Sequence, residues 1–234
     1  MPDLSPRAVL SVVRRGVVFE LRLYRSLLRW IARRPHIPGP DLEAVGYAQA
    51  VTPVMWLWIF ASAIEVPLFH LLIPWETVRI IGIVVSVWGL VWMVGLLASL
   101  RVYPHLLSGS ALRVRHGASV DITVPWDAIA TLTAQRRDLP SSVWTLQPRE
   151  TDSGTDLQVA VSGQVNVHAV LRHPRTVPTP KGDMEITEIS FLTDDPRAFV
   201  TRARQHLTQR TVTVTGFEVL PDDSSITRKR FGPL

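Results

Sequence analysis

From Val51 to Leu100 the chain is almost continuously apolar, broken only by the short step Pro74-Trp75-Glu76-Thr77. A hydrocarbon core about 30 Å thick is crossed by about 20 helical residues. The run therefore holds two spans, 51–73 and 78–100, and so short a connection makes them an antiparallel hairpin. The second span has no charge between Ile80 and Leu97. The first is less clean, because Glu65, Pro67 and His70 sit inside it. About eleven strongly apolar residues favour its insertion by roughly 3–7 kcal/mol, and one central acid offsets about 3 kcal/mol of that. The first span is expected to insert with the help of the second. Trp56, Trp58, Trp75 and Tyr103 suit interfacial aromatic belts. A cleaved signal peptide fits poorly with a span that begins about 50 residues in. A water-soluble core hairpin is the other competitor, but its helices are seldom so poor in charge over such lengths.

Arginine sets the expected orientation. The first 50 residues hold eight Arg against four acids, and Arg101, Arg113 and Arg115 follow the second span. The connecting step has one acid, with Arg79 at its edge. The positive-inside rule places both flanks in the cytoplasm. The expectation is a multi-pass protein of the plasma (inner) membrane with both termini cytoplasmic. The net charge of +5 comes almost wholly from Arg, since Lys occurs only at Lys181 and Lys229. With abundant Ala and Val, this bias suggests a GC-rich, bacterial genome. Beside a hairpin, anionic lipid is a simpler partner for that charge than nucleic acid. The absence of Cys excludes disulfides and thiolate metal sites.

Residues Pro6 to Arg34 read as one amphipathic helix. At 100° per residue, Arg7, Arg14, Arg15, Arg22, Arg25, Arg29 and Arg33 share an arc of about 100°. Leu10, Val13, Val17, Leu21, Tyr24, Leu28 and Ile31 occupy the other side, interrupted by Glu20. This pattern suits a helix lying in the membrane interface, where each basic residue near anionic headgroups contributes about 1 kcal/mol. Packing on the rest of the protein or on a second copy is the alternative, and an Arg-rich presequence is a third. Pro35-His36-Ile37-Pro38-Gly39-Pro40 ends the helix.

After Ser110 the period becomes two. Leu112 and Val114 alternate with Arg113 and Arg115, which should face outward into solvent; Val120, Ile122 and Val124 follow past Gly117. Leu157–Val161, Val165–Leu171 and Ile189–Phe191 repeat the pattern. The Thr151–Gly154 turn and the Pro-rich stretch His173–Gly182 are expected to separate these strands. Asp194-Asp195-Pro196 announces a helix whose apolar stripe is Phe199, Val200, Ala203 and Leu207. Thr211–Val214 and Phe217–Leu220 suggest a late hairpin about Gly216. The organisation is then an arm and Pro-rich linker (1–50), the hairpin (51–100), a cytoplasmic β domain (101–220) and a flexible basic tail (221–234).

The run Val102-Tyr103-Pro104-His105 to Arg115-His116-Gly117 resembles the entry to bacterial pleckstrin-homology-like domains that follow membrane hairpins. Val124-Pro125-Trp126-Asp127-Ala128-Ile129 looks like their strand and following turn. Phe191–Phe199 is similar to the last strand and closing helix of actinobacterial members. The resemblance covers about residues 80–209. It implies an α+β membrane protein whose bent, antiparallel, barrel-like sheet is closed by a C-terminal helix. It implies no chemistry, and the basic phosphoinositide signature of eukaryotic relatives is not matched in full.

Chemistry-bearing motifs are sparse. The seven His are scattered, with His168 on a strand and His206 on the closing helix, so no metal site and no cofactor is expected. There is no Gly-x-Ser-x-Gly elbow and no phosphate-cradling loop. Intramembrane Glu65 and His70 raise a functional question by their cost. Five positions apart, they point about 140° from each other. Glu65 could bond Ser62, Ser86 or a partner chain. Gly82, Ser86 and Gly89 form one small-residue stripe, Gly95 and Ser99 another, either of which could pack a helix. The expected function is a non-enzymatic, membrane-anchored adaptor or scaffold, meeting an unidentified protein or its own copies and no nucleic acid. The alternative is an accessory subunit or small oligomeric channel or transport component using Glu65.

Overall fold

The computed structural model describes residues 6–40, 42–140, 145–180 and 182–215. Phe217–Leu220 and the basic tail lie outside these. The element order is α1 (Pro6–Ile31), β1 (Glu43–Val45), α2 (Thr52–Leu72), α3 (Glu76–Val102), β2 (His105–Leu107), β3 (Ala111–His116) and β4 (Val120–Pro125). Then come a single 3-10 turn at Trp126–Ala128, β5 (Ile129–Asp138), β6 (Leu146–Thr151), β7 (Gly154–Val159), β8 (Gln164–Thr179), β9 (Gly182–Phe191) and α4 (Pro196–Thr215).

Helices α2 and α3 are each long and apolar enough to cross a membrane, and only 6% and 11% of their most apolar windows are buried. They pack on each other where Gly82 of α3 meets the Phe69 ring of α2. Helix α1 packs along the C-terminal half of α3 and ends before the expected Arg34. Arg33 takes φ +53°, with Arg34 N–H donating to the Arg29 carbonyl and Arg33 N–H to that of Trp30. Those two bonds form a Schellman stop built without glycine.

The β domain is not a closed barrel. Its strands form a four-stranded sheet, β1-β2-β3-β4, and a five-stranded sheet, β5-β8-β9-β7-β6. The break falls at Pro125-Trp126, where the 3-10 turn interrupts the ladder between β4 and β5. Trp126 is buried there, its Nε1 donating to the Ser108 carbonyl at 2.7 Å and its ring stacked on His206. Between the sheets lie Leu112, Ile122, Val124, Val167, Ile189 and Phe191, and α4 covers them with Phe199, Val200 and Ala203. Asp195 caps α4 as expected, accepting from Ala198 N–H at 3.0 Å.

Four expectations need correction. The sheet is not wholly antiparallel: β9 returns between β8 and β7 and runs parallel to β7, Leu157 opposite Ile189. Alternation gives the face of each strand but not its neighbour. The Pro-rich stretch is no spacer, because β8 runs on to Thr179 and pairs Val177 with Met184 and Pro178 with Asp183. Beyond Leu171 no ladder to β5 remains, so the missing N–H groups of Pro174 and Pro178 sit on an open edge. Thr211–Val214 continue α4 instead of forming a hairpin. Arg115 does not face solvent, for the reason given below.

Candidate functional site

Helix α1 presents three faces, one more than its periodicity suggests. Arg14, Arg22, Arg25 and Arg33 are exposed, whereas half-buried Arg29 donates from Nη1 to His36 Nδ1 at 2.6 Å. The side chains of Arg7 and Arg15 lie outside the described ones. Leu10, Val13, Val17, Leu21, Leu28 and Ile31 remain exposed, at 52–69%. The third face rests on α3. Leu23 fills the space over Gly95, Phe19 lies 6.4 Å from the Trp92 ring, and Ser26 is buried. Glu20 accepts from Tyr24 Oη at 2.6 Å and from Trp88 Nε1 at 3.0 Å. The first of these bonds, then the second, holds its carboxyl below the usual range. Glu20 at the rim of an apolar stripe was the sequence signal for this contact.

The small-residue stripes separate in role. Gly82 lies against Phe69 inside the hairpin, Ser86 is half-buried, and nothing stands within 4 Å of where a Gly89 Cβ would be. Gly95 receives α1, and Ser99 Oγ accepts from Ala118 N–H at 3.0 Å. Ser62 donates to Met93 Sδ at 3.5 Å, not to Glu65. Glu65 and His70 are exposed, and neither has a polar partner among the described residues.

Where α3 enters the β domain, a buried polar joint forms. Tyr47 Oη accepts from Gly117 N–H at 2.7 Å, and its ring lies 4.6 Å from that of His105. His105 accepts from Arg115 N–H at Nδ1 and donates from Nε2 to the Leu192 carbonyl at 2.8 Å. These partners fix one neutral tautomer, and burial pushes its pKa down to about 4. Arg115 is 1% exposed because the linker after α1 covers it: Nη1 donates to the His36 carbonyl at 2.9 Å, and the Tyr103 ring lies 5.6 Å away. Asp121 is held by both Nε and Nη2 of Arg113, so it only half-serves Arg115, whose Nε is 3.5 Å away. Arg115 Nε and Nη2 have no hydrogen-bond partner among the described residues. The joint thus carries surplus positive charge beside α1. A groove of about 720 Å³ opens next to it, between Arg14, Phe19 and Arg22 on one wall and Ser119, Pro178 and Pro180 on the other.

A second polar cluster lies in the five-stranded sheet. Ser190 Oγ donates to Asp156, at 2.9 Å from Oδ1 and 3.1 Å from Oδ2, and lies 3.0 Å from His168 Nδ1. His168 Nε2 is 3.5 Å from Glu188 Oε2. Serine stands between acid and imidazole and donates its hydrogen bond to the acid. Nucleophilic catalysis needs the imidazole in the middle, so this order does not activate the hydroxyl, which is fully buried. Sequence reading passed over His168, since its partners lie twelve positions before it and twenty after. Only strand pairing joins them.

No protein-family model, no curated protein and no solved structure matches this chain.

Proposed function

We propose that the chain is a non-enzymatic membrane-anchored adaptor, with α2 and α3 spanning the bilayer and a pleckstrin-homology-like β domain presented on the cytoplasmic side of the inner membrane. One observation carries the reading: two adjacent helices are long and apolar enough to cross a membrane, and only 6% and 11% of their most apolar windows are buried. Exposed apolar patches of that extent are rare on soluble monomers, and hydrocarbon supplies the missing contact. Strand β1 before the hairpin pairs with β2 after it, Val45 opposite His105. Hydrogen-bonded neighbours lie on one side of a bilayer, which supports a common side for both flanks. The Arg face of α1 and the surplus charge at Arg115 favour an anionic leaflet on that side.

The rival reading, an oligomeric channel or transport accessory, is favoured by Glu65, an exposed acid on an apolar helix with no polar partner among the described residues. Two measurements test the readings, and the second separates them. Sedimentation of the expressed chain with membranes, and protection of tags at both ends from outside intact cells, is the outcome for the anchored adaptor. A chain that stays in the detergent-free supernatant contradicts both readings. Glu65→Gln leaves partner co-purification intact in an adaptor, but abolishes ion or proton flux in a conducting assembly.

A further inference from the structure

Three elements far apart in the chain wall the groove beside the buried joint: α1 with Arg14 and Arg22, the β3–β4 turn with Ser119, and the end of the β8–β9 hairpin with Pro178 and Pro180. Its volume of about 720 Å³ falls within the range of small-molecule sites. Arg14 and Arg22 stand about two turns apart on α1, which puts their Cα atoms about 12 Å from each other. Two side chains as long as arginine's can close over that gap on one small anion. Both are exposed, and neither has an ion pair among the described residues; Arg22 Nη1 has a 3.4 Å bond to the Ala118 carbonyl. Asp121, the acid among the described lining residues, is already held by Nε and Nη2 of Arg113, with Arg115 Nε 3.5 Å away. Two guanidinium groups beside that one carboxylate leave Arg14 and Arg22 as uncompensated charge.

The helix that carries the two arginines also sets the depth of the groove. Phe19 of its wall lies 6.4 Å from the Trp92 ring, and Trp88 Nε1 donates to Glu20 and to Tyr24 Oη. Tryptophan on a spanning helix gathers at the level of the lipid headgroups. On the side of α1 away from α3, Val17 and Leu21 lie within about 60° of Arg14 around the helix. They are 52% and 63% exposed. Unpaired positive charge therefore adjoins an uncovered apolar strip at headgroup level. A soluble anion would use the charge alone, whereas a phospholipid uses both.

We propose that the groove binds the headgroup of one anionic glycerophospholipid of the surrounding bilayer. Arg14 and Arg22 clasp the phosphate, and an acyl chain lies along Val17 and Leu21. The proposal rests on the membrane-anchored reading, since its ligand is part of the bilayer. Guanidinium suits phosphate because its planar fork offers two parallel N–H···O bonds. Pro178 and Pro180 on the facing wall bring no N–H of their own, so the choice of an anion falls to the two arginines.

The test is native mass spectrometry of the purified full-length chain in neutral detergent, titrated with phosphatidylglycerol or phosphatidylcholine. One phosphatidylglycerol binds per chain, at least about tenfold tighter than phosphatidylcholine. Arg14→Gln and Arg22→Gln each weaken it about tenfold, whereas Arg34→Gln, an equal loss of charge at an exposed position past the helix, changes it less than about twofold. Val18→Trp keeps the charge, fills the groove and removes the preference for the anionic lipid. Excess glycerol phosphate leaves the lipid bound. Equal binding of the two lipids, an equal loss in Arg34→Gln and Arg22→Gln, or displacement by glycerol phosphate at the lipid's own concentration overturns the proposal. Should Val18→Trp disturb the arm, the arginine variants, all at exposed positions, still decide. A chain that sediments with membranes yet shows no lipid preference loses this site and keeps its anchor; one that stays in the supernatant loses both.

Discussion

His105 and His116 flank the Tyr47 ring, and burial pushes both pKa values down to about 4. Unfolded, each titrates near 6.5. Between those values the unfolded chain takes up protons that the folded chain refuses, so stability is full above pH 6.5 and falls as the pH drops towards 4. Each histidine contributes on the order of 3 kcal/mol across that window. Asp194, whose carboxyl burial raises, works in the opposite direction. Urea unfolding of the solubilised chain at pH 7 and pH 4.5 should show the loss, and His116→Gln should flatten part of it. A pH-independent midpoint would contradict the buried neutral assignment. Alternation read Arg115 as solvated because it counts side-chain polarity and cannot see the linker laid over β3. His36 and Tyr103, which cover it, belong to segments with no period of their own.

Long periodic elements were legible as elements: both apolar helices, the arm, the Asp195 cap of α4 and the alternating strands all follow from spacing and capping chemistry. Short or two-faced pieces were not. Strand β1 is three residues long, and β6 has Pro148 and Glu150 where alternation from Leu146 would put apolar side chains. In the arm, the periodicity of Arg and Leu hid the face through which Phe19, Leu23 and Ser26 rest on α3. That contact depends on the bare surface of Gly95, where an added Cβ would stand 2.6 Å from Leu23 Cδ2. Gly95→Val should therefore lift α1 from α3, at the roughly 1–3 kcal/mol typical of overpacking. Limited proteolysis reads it as faster cleavage within 6–31. Gly89→Ala meets nothing within 4 Å and should leave cleavage unchanged. Equal protection of both variants would show that the glycine stripe does not seat the arm.

At the scale of the whole molecule, the two long helices are an insertion into a β-hairpin. The chain leaves the four-stranded sheet through β1, makes α2 and α3, and re-enters through β2, paired with the strand it left. The near ends of the helices meet, since Arg101 Nη2 donates to Thr52 Oγ1 at 3.4 Å. The segment behind β1 is bound as firmly: Gln49 N–H donates to Asp194 Oδ1 at 2.8 Å, Asp194 N–H donates to the Gly46 carbonyl, and Tyr47 and Ala48 join a core with Leu100, Val161 and Leu192. The β domain thus draws on residues from both sides of the apolar run and needs none of its middle. Removing the arm (residues 1–34) and replacing residues 53–96 with a short Gly-Ser linker should yield a soluble chain that unfolds cooperatively. A fragment starting at Arg101 keeps the same strands from β2 onward but loses β1 and Tyr47. Emptying the seat of one fully buried aromatic already costs about 3–5 kcal/mol, so that fragment should unfold at clearly lower urea or not fold at all. If the two proteins unfold at the same midpoint, the strand before the hairpin is not part of the domain, and the common side assigned to the two flanks loses its structural support.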